Sequence, residues 1–314
     1  MRYIKDYEEG NKIQGVYYCK QKNSTETKTG KPYDSVLLQD KTGVLDAKVW
    51  DPYSQGIGEY EAGDYIDVIG DIKIFNNQKQ ASLVRIRKAD EGEYDTKDYF
   101  PMTEKNVDEM FAKIIEYIDS IKNPYYKKLL ESFFKDNNVF VTAFKSSSAA
   151  KTVHHGFIGG LLEHTLGVTN MCNYLASAYP LLNRDLLITA AICHDIGKTK
   201  EISPFPANEY TDEGQLLGHI VMGCEMVGNA ADKIEGFPPK YKHELQHCIL
   251  AHHGEYEFGS PKKPAIMEAV ALNFADNTDA KMQSITEMFK SKDTNDWLGF
   301  NKFLDSNFRK TTGS

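Results

Sequence analysis

The chain has 314 residues, 41% hydrophobic and 26% charged, with a net charge of -8 at neutral pH. That length accommodates two domains with buried cores, and the acidic balance excludes a uniformly basic nucleic-acid coat while leaving room for a local basic groove. No run of about 18 apolar residues occurs, so no membrane span is expected.

The stretch from Met1 to Glu9 is too charged for a secretory leader. Five scattered cysteines (Cys19, Cys172, Cys193, Cys224, Cys248), with no C-x-x-C pair, read as reduced thiols of a cytoplasmic protein.

Residues 13–88 are predicted all-β. Strands are expected at Ile13 to Lys22, Tyr33 to Gln39, Val44 to Trp50, Asp64 to Phe75 and Gln78 to Arg87. Asn23 to Pro32 reads as a flexible loop and Pro52 to Ala62 as a short helix. Asp40-Lys41-Thr42-Gly43 is a turn, and Asn76-Asn77 forms a hairpin tip that tolerates left-handed backbone. Five strands with an insertion after the third match the Greek-key barrel known as the OB-fold. The segment from Leu38 to Trp50 resembles the second and third strands of nucleic-acid-binding modules of that fold. The resemblance implies single-stranded nucleic acid, with bases stacking on aromatics and lysines following the backbone. Tyr17, Tyr33, Trp50 and Phe75, interleaved with Lys20, Lys22, Lys31, Lys48 and Lys73, suit that role. The same alternation also describes aromatics that fill the barrel beside solvated lysines.

Asp90 to Asp98 reads as an acidic linker. Thr103 is the expected N-cap of a helix to about Lys122, and Asn123-Pro124 starts another to about Lys135. These helices carry no chemistry and are expected to bridge domains or make a homo-oligomer contact. Ser146 to Ser148 marks a loop.

All nine histidines lie between His154 and His253, none in the β region. Helical phase places His164 on a stripe with Phe157, Leu161, Val168, Met171 and Leu175. His194 follows Leu187, Ala190 and Ala191, with Asp195 on the flank. His219 shares a face with Leu216, Ile220, Gly223 and Val227, and Asp276 with Ala269, Leu272, Asn273 and Ala280. One inward polar residue is ordinarily a satisfied core side chain. Several helices each aiming one inward are explained together by a metal centre in a helical bundle. His243-Glu244-Leu245-Gln246-His247 matches the H-E-x-x-H of zinc proteases. Leu245, Cys248, Ile249 and His252 share that helix's apolar face, which sends His243 and His247 to the solvent side and argues against a protease.

In chain order the set is His164, His194-Asp195, His219, His252-His253 and Asp276. It resembles the HD-domain superfamily of metal-dependent phosphohydrolases, and the extra histidines resemble its binuclear subset. The resemblance implies that His164, His194, Asp195 and Asp276 hold one divalent metal. Asp195 would bridge to a second, held by His219, His252 and His253. It also implies that Lys198 meets substrate phosphate. Two such metals share and activate a hydroxide for attack on phosphorus. The mixed imidazole and carboxylate donors suit manganese, iron, cobalt or zinc alike, and it is the resemblance that implies manganese first. His155 either reaches the phosphate or packs in the core.

The order OB-fold, helical bridge, binuclear HD domain resembles the YhaM-type 3′-5′ exoribonucleases. That resemblance implies Asp195 and Lys198 as catalytic residues, with single-stranded RNA, and some single-stranded DNA, as substrate. The expected fold is multidomain: an all-β barrel at 1–92, a linker and bridge at 93–150, an all-α HD bundle at 151–292, and a C-terminal helix and tail at 293–314. Two other functions fit less of the pattern. One is an HD phosphohydrolase of small or cyclic nucleotides with a regulatory barrel. The other is a nucleic-acid-binding factor with a non-catalytic metal site.

Overall fold

The computed structural model describes residues 2–150, 155–291, 294–302 and 304–312. The chain divides into two compact units, Met1–Pro101 and Met102–Ser314.

In the first unit, alternating apolar residues build five strands: β1 (Lys12–Glu26), β2 (Pro32–Asp40), β3 (Gly43–Val49), β4 (Tyr65–Phe75) and β5 (Gln78–Lys88). They close into a barrel of order β1-β2-β3-β5-β4, with β3 and β5 parallel and the other pairs antiparallel. This is the five-stranded OB arrangement. Inward side chains such as Ile13, Leu38, Ala47, Ile66, Val68 and Ile72 are all but inaccessible. Asn76 and Asn77 take φ of 49° and 59° at the β4–β5 tip, the geometry of a two-residue hairpin turn.

Two local expectations in this unit are corrected. The polar segment after Lys22 is mostly strand, because Asn23 to Glu26 pair with Ser35 to Pro32, and only residues 27–31 remain as loop. Residues 52–62 hold no helix: Ile57 forms a parallel bridge with Ile86, and Gly58 N donates to Ile86 O. A Cβ on Gly56 would sit 2.4 Å from the carbonyl oxygen of Val84, so glycine lets the two backbones lie together.

The second unit is helical: α1 (Val107–Ser120), α2 (Pro124–Phe134), α3 (Asn138–Ser146), α4 (Gly160–Ala178), α5 (Arg184–Cys193), α6 (Lys198–Glu201), α7 (Asp212–Asp232), α8 (Pro239–Ala251) and α9 (Met267–Ser291). Leu186 to Cys193 are buried without interruption, which makes α5 the central helix. It packs against α1, α2, α4, α8 and α9. Each fully buried Leu or Ile there contributes roughly 1.5–3 kcal/mol.

The cap of α1 is Asn106, whose Oδ1 accepts from Asp108 N and Glu109 N. Thr103 instead gives its hydroxyl to Glu163. The helices expected to bridge domains share one apolar core with α4 and α5, through Ile114, Leu129, Phe134 and Phe144. Asp185 at the start of α5 fastens that junction by accepting from Lys122 N and Asn123 N. The expected C-terminal helix is a small hairpin among the described residues. Phe300–Asn301 pairs with Ser306–Asn307, and Asp305 takes a left-handed φ of 48°.

Candidate metal centre and nucleic-acid interface

Two pairs of candidate site residues sit at helix C-termini, where the last carbonyls lack intrahelical partners. His194-Asp195 follows α5 and His252-His253 follows α8. His194 Nδ1 donates to Ala191 O and His252 Nδ1 to Ile249 O, both at 2.7 Å. His253 Nδ1 donates to Phe258 O at 2.8 Å. His164, near the start of α4, donates from Nδ1 to Asp279 at 2.7 Å, and His219 from Nδ1 to Glu201 at 3.0 Å. Every one of these Nδ1 partners is an oxygen acceptor, so the proton sits on Nδ1. The Nε2 lone pair of each ring is thereby left facing a shared centre.

Asp195 stands in the middle. Its Oδ2 lies 3.4 Å from His164 Nε2 and 3.3 Å from His194 Nε2, while Asp276 Oδ1 lies 3.1 Å from His164 Nε2. Its Oδ1 lies 3.5 Å from His219 Nε2 and 3.7 Å from His252 Nε2. Among the described residues three triads have donor atoms within 4.8 Å of one another: His164, His194, Asp276; His219, His252, His253; and His155, His164, Asp279, where Asp279 already bonds both rings.

The chemistry of this cluster fits divalent cations. His164 and His194 turn their Nε2 atoms toward each other at 3.2 Å. Two bare lone pairs at that distance repel, so a positive charge belongs between them: a proton on His164 in the metal-free chain, which a bound cation would displace. Among the described residues, Asp195 Oδ1 and His219 Nε2 are buried with no hydrogen-bond partner, a costly arrangement unless a ligand satisfies them. Burial opposes charge on His164, yet the carboxylates of Asp195, Asp276 and Asp279 raise its pKa well above the ordinary value. Burial likewise opposes charge on Asp195, but Lys198 and His194 hold it well below the usual carboxylate range. His252 and His253 are pushed down, first by burial. The carboxylates around His164 draw in positive charge, whereas burial keeps His252 and His253 neutral and available as ligands.

Residues 161–281 match the family model of the HD domain. A Geobacillus protein named 3′-5′ exoribonuclease YhaM is 35% identical over 283 residues, covering 90% of this chain and 86% of that protein. A Bacillus velezensis protein of the same name is 36% identical over 279 residues, covering 88% and 87%. The chain belongs to the YhaM family of 3′-5′ exoribonucleases. Among solved structures, the second OB-fold domain of replication protein A from Methanococcus maripaludis is 21% identical, with a TM-score of 0.22. It covers 29% of this chain and 96% of that one.

In this YhaM-family chain the geometry also relocates several residues. Lys198 does not reach outward: its Nζ lies 2.7 Å from Asp195 Oδ2, in an ion pair that is almost wholly buried. His155 is 2% exposed and gives its Nε2–H to Asp279 at 3.0 Å, so it is packed beside the centre and does not extend to a phosphate. His154 lies outside the described residues. His243 is exposed and His247 half-buried, its Nε2 accepting from Ala265 N, so the H-E-x-x-H pair stays apart from the cluster.

Two participants were missed by sequence reasoning, Asp279 and Glu201. Asp279 had a signal: it follows Asp276 by three residues, so both lie on one face of α9. Glu201 had none, because a non-helical Gly218 (φ 74°) breaks α7 just before His219 and spoils the phase argument. Leu216, placed by phase on the buried stripe with His219, is 82% exposed.

On the barrel, Tyr33 and Trp50 project from the outer face of β2 and β3 and stack with centroids 5.3 Å apart, Trp50 being 52% exposed. Lys48 lies on the same face, bonded to Ser35 Oγ at 2.6 Å and Asp46 Oδ1 at 2.9 Å. Lys73 and Phe75 are exposed where β4 ends at the hairpin tip. Tyr17 is a correction. It is fully buried, its hydroxyl bonded to Tyr7 Oη and Arg2 O, and offers no face to a base. Lys22 is likewise engaged, donating to Tyr60 O and Glu61.

Proposed function

We propose that this chain is a metal-dependent 3′-5′ exoribonuclease that releases nucleoside 5′-monophosphates from single-stranded RNA, and some single-stranded DNA. Two divalent metals, manganese in first place, would supply Lewis acidity, activating water and neutralising phosphate charge. One observation carries this reading: the two oxygens of Asp195 point to different triads, and Oδ1 has no hydrogen-bond partner among the described residues. His164, His194 and Asp276 would hold one cation and His219, His252 and His253 the other, with Asp195 shared.

The protein's own residues provide the rest. Oriented imidazoles fix the donor atoms in advance, so little reorganisation accompanies the reaction. Lys198 holds Asp195 as a carboxylate from its buried ion pair and so acts on the centre through that residue. The barrel face of Tyr33, Trp50 and Lys48, with Lys73 and Phe75, would hold the strand by stacking and backbone charge. Tethering it to the helical unit raises the effective concentration of RNA ends. The five free cysteines, four of them buried, fit the reducing cytoplasm.

The test is a 5′-labelled single-stranded RNA incubated with and without Mn²⁺, beside an Asp195→Ala control. A ladder shortening from the 3′ end only with metal and intact Asp195 is expected. Full-length RNA in every lane, with hydrolysis of a cyclic dinucleotide instead, would turn the assignment toward a small-nucleotide phosphohydrolase.

A further inference from the structure

Four of the five clustered imidazoles sit on α4 or at the C-terminal ends of α5 and α8. His219 is the exception. Helix α7 is interrupted immediately before it at Gly218, whose φ of 74° and ψ of 156° are extended, left-handed backbone. The arm ahead of the break is open to solvent, with Leu216 and Leu217 82% and 50% exposed. The helix alone therefore does not fix the direction of His219. Glu201 does: its Oε1 accepts from both the backbone N–H and the Nδ1–H of His219, each at 3.0 Å. One carboxylate oxygen thus clamps main chain and ring together.

Glu201 is itself held. Its carbonyl accepts from Thr211 N at 2.9 Å, and a Cβ on Gly214 would lie 2.3 Å from that oxygen. On the neighbouring turn, a Cβ on Gly197 would lie 2.1 Å from His219 O, so α6 and α7 meet backbone to backbone. The four-residue α6 also carries Lys198, ion-paired to Asp195. Both ends of this short helix reach the centre, one through the shared carboxylate and one through His219.

We propose that Glu201 is a positioning residue that selectively sets the metal affinity of the His219, His252, His253 triad, leaving the other triad to bind independently. This rests on the binuclear reading above. The first triad is built on α4, α5 and α9 and makes no contact with Glu201 among the bonds described. Loss of the clamp frees His219 to swing with its exposed arm, and the second cation loses one of its ligands. Removing an outer-shell partner typically weakens metal binding by about 10- to 100-fold.

The experiment is a Mn²⁺ titration of the metal-depleted full-length chain, with free Mn²⁺ followed by its magnetic resonance signal. Wild type, Glu201→Gln, Glu201→Ala and His219→Ala are compared, with melting temperatures in parallel. Wild type is expected to bind two Mn²⁺ and to show a spin-coupled pair. Glu201→Ala should weaken one site by about 10- to 100-fold, match His219→Ala in this, and leave the other site unchanged. Glu201→Gln keeps a carbonyl acceptor without the charge and should fall between. It also serves as the folded probe if the alanine variant does not fold. Two sites that weaken alike, or two unchanged sites with only a lowered melting temperature, overturn the inference. A wild-type chain that takes a single Mn²⁺ overturns the binuclear reading and the inference with it.

Discussion

The carboxylate of Asp279 receives the Nδ1 proton of His164 at 2.7 Å, and the same oxygen receives the Nε2 proton of His155 at 3.0 Å. Burial opposes its charge, but His155 and His164 hold it at a pKa of about 2. Asp279 therefore remains an acceptor at any working pH and keeps the His164 Nε2 lone pair aimed at the first triad. Asp279→Ala is expected to lower metal affinity by about 10- to 100-fold. Asp279→Asn should lower it less, since one acceptor oxygen survives. Mn²⁺ titration reads the effect, and wild-type affinity in Asp279→Ala would show that His164 needs no such partner.

Gly167 on α4 gives Asp279 its room. A Cβ there would lie 2.1 Å from Asp279 Oδ1. In an unhindered helix interior, Gly→Ala stabilises by about 0.5–1 kcal/mol. Here the opposite sign is expected, because Asp279 is pinned by two imidazoles and moves only by releasing them. Gly167→Ala should lower the melting temperature and reproduce the metal defect of the Asp279 variants. A rise in melting temperature with intact Mn²⁺ binding would mean the carboxylate sidesteps freely.

Metal binding should release a proton, and its source is His164. Against the cost of burial, Asp195, Asp276 and Asp279 raise its pKa well above the usual histidine value, so the metal-free ring is protonated near neutrality. His252 and His253 are lowered, first by burial, and are already neutral, so they release none. A raised pKa also means that His164 stabilises the metal-free fold fully below about pH 6.5, and that this is lost as pH rises through its folded value. Calorimetric Mn²⁺ titrations at pH 7.5, in buffers of different ionisation enthalpy, should report net proton release that disappears in His164→Gln. Buffer-independent heats in wild type would contradict the assignment.

Much of this cluster was legible because most of its side chains lie on, or at the ends of, helices whose phase is uninterrupted. His164 on α4 and Asp276 on α9 follow the apolar stripe, and the His194-Asp195 and His252-His253 pairs end apolar helices where carbonyls need donors. The five strands were legible from alternation and from turn residues such as Asn76-Asn77. What stayed hidden depended on contacts distant in sequence or on broken periodicity. Glu201 reaches His219 across a kink that phase analysis cannot see, and alternation alone does not say which face of β1 turns inward, so Tyr17 looked like a stacking residue. Residues 52–62 looked helical because nothing local announces that Gly56 and Gly58 lie against β5.

The barrel offers the last prediction, because the proposed reading assigns RNA holding to its outer face and chemistry to the helical unit. Tyr33 and Trp50 are cross-strand neighbours whose rings stack, with half of Trp50 open to solvent. A base adding to that stack is worth roughly 1–3 kcal/mol. Trp50→Ala should weaken single-stranded RNA binding by about that amount, measured by fluorescence anisotropy, and Lys48→Ala should reduce the salt dependence of binding. Neither residue belongs to the metal cluster, so hydrolysis of bis(4-nitrophenyl) phosphate should be unchanged in both. Tyr17→Ala is the contrasting variant: it empties the barrel core and strands the Tyr7 hydroxyl, so it should cost about 3–5 kcal/mol of stability, as is typical of a buried aromatic, and lower the melting temperature. If Trp50→Ala binds RNA like wild type while Tyr33→Ala does too, this face does not hold the strand, and the exposed Phe75 and Lys73 at the hairpin tip become the surface to test.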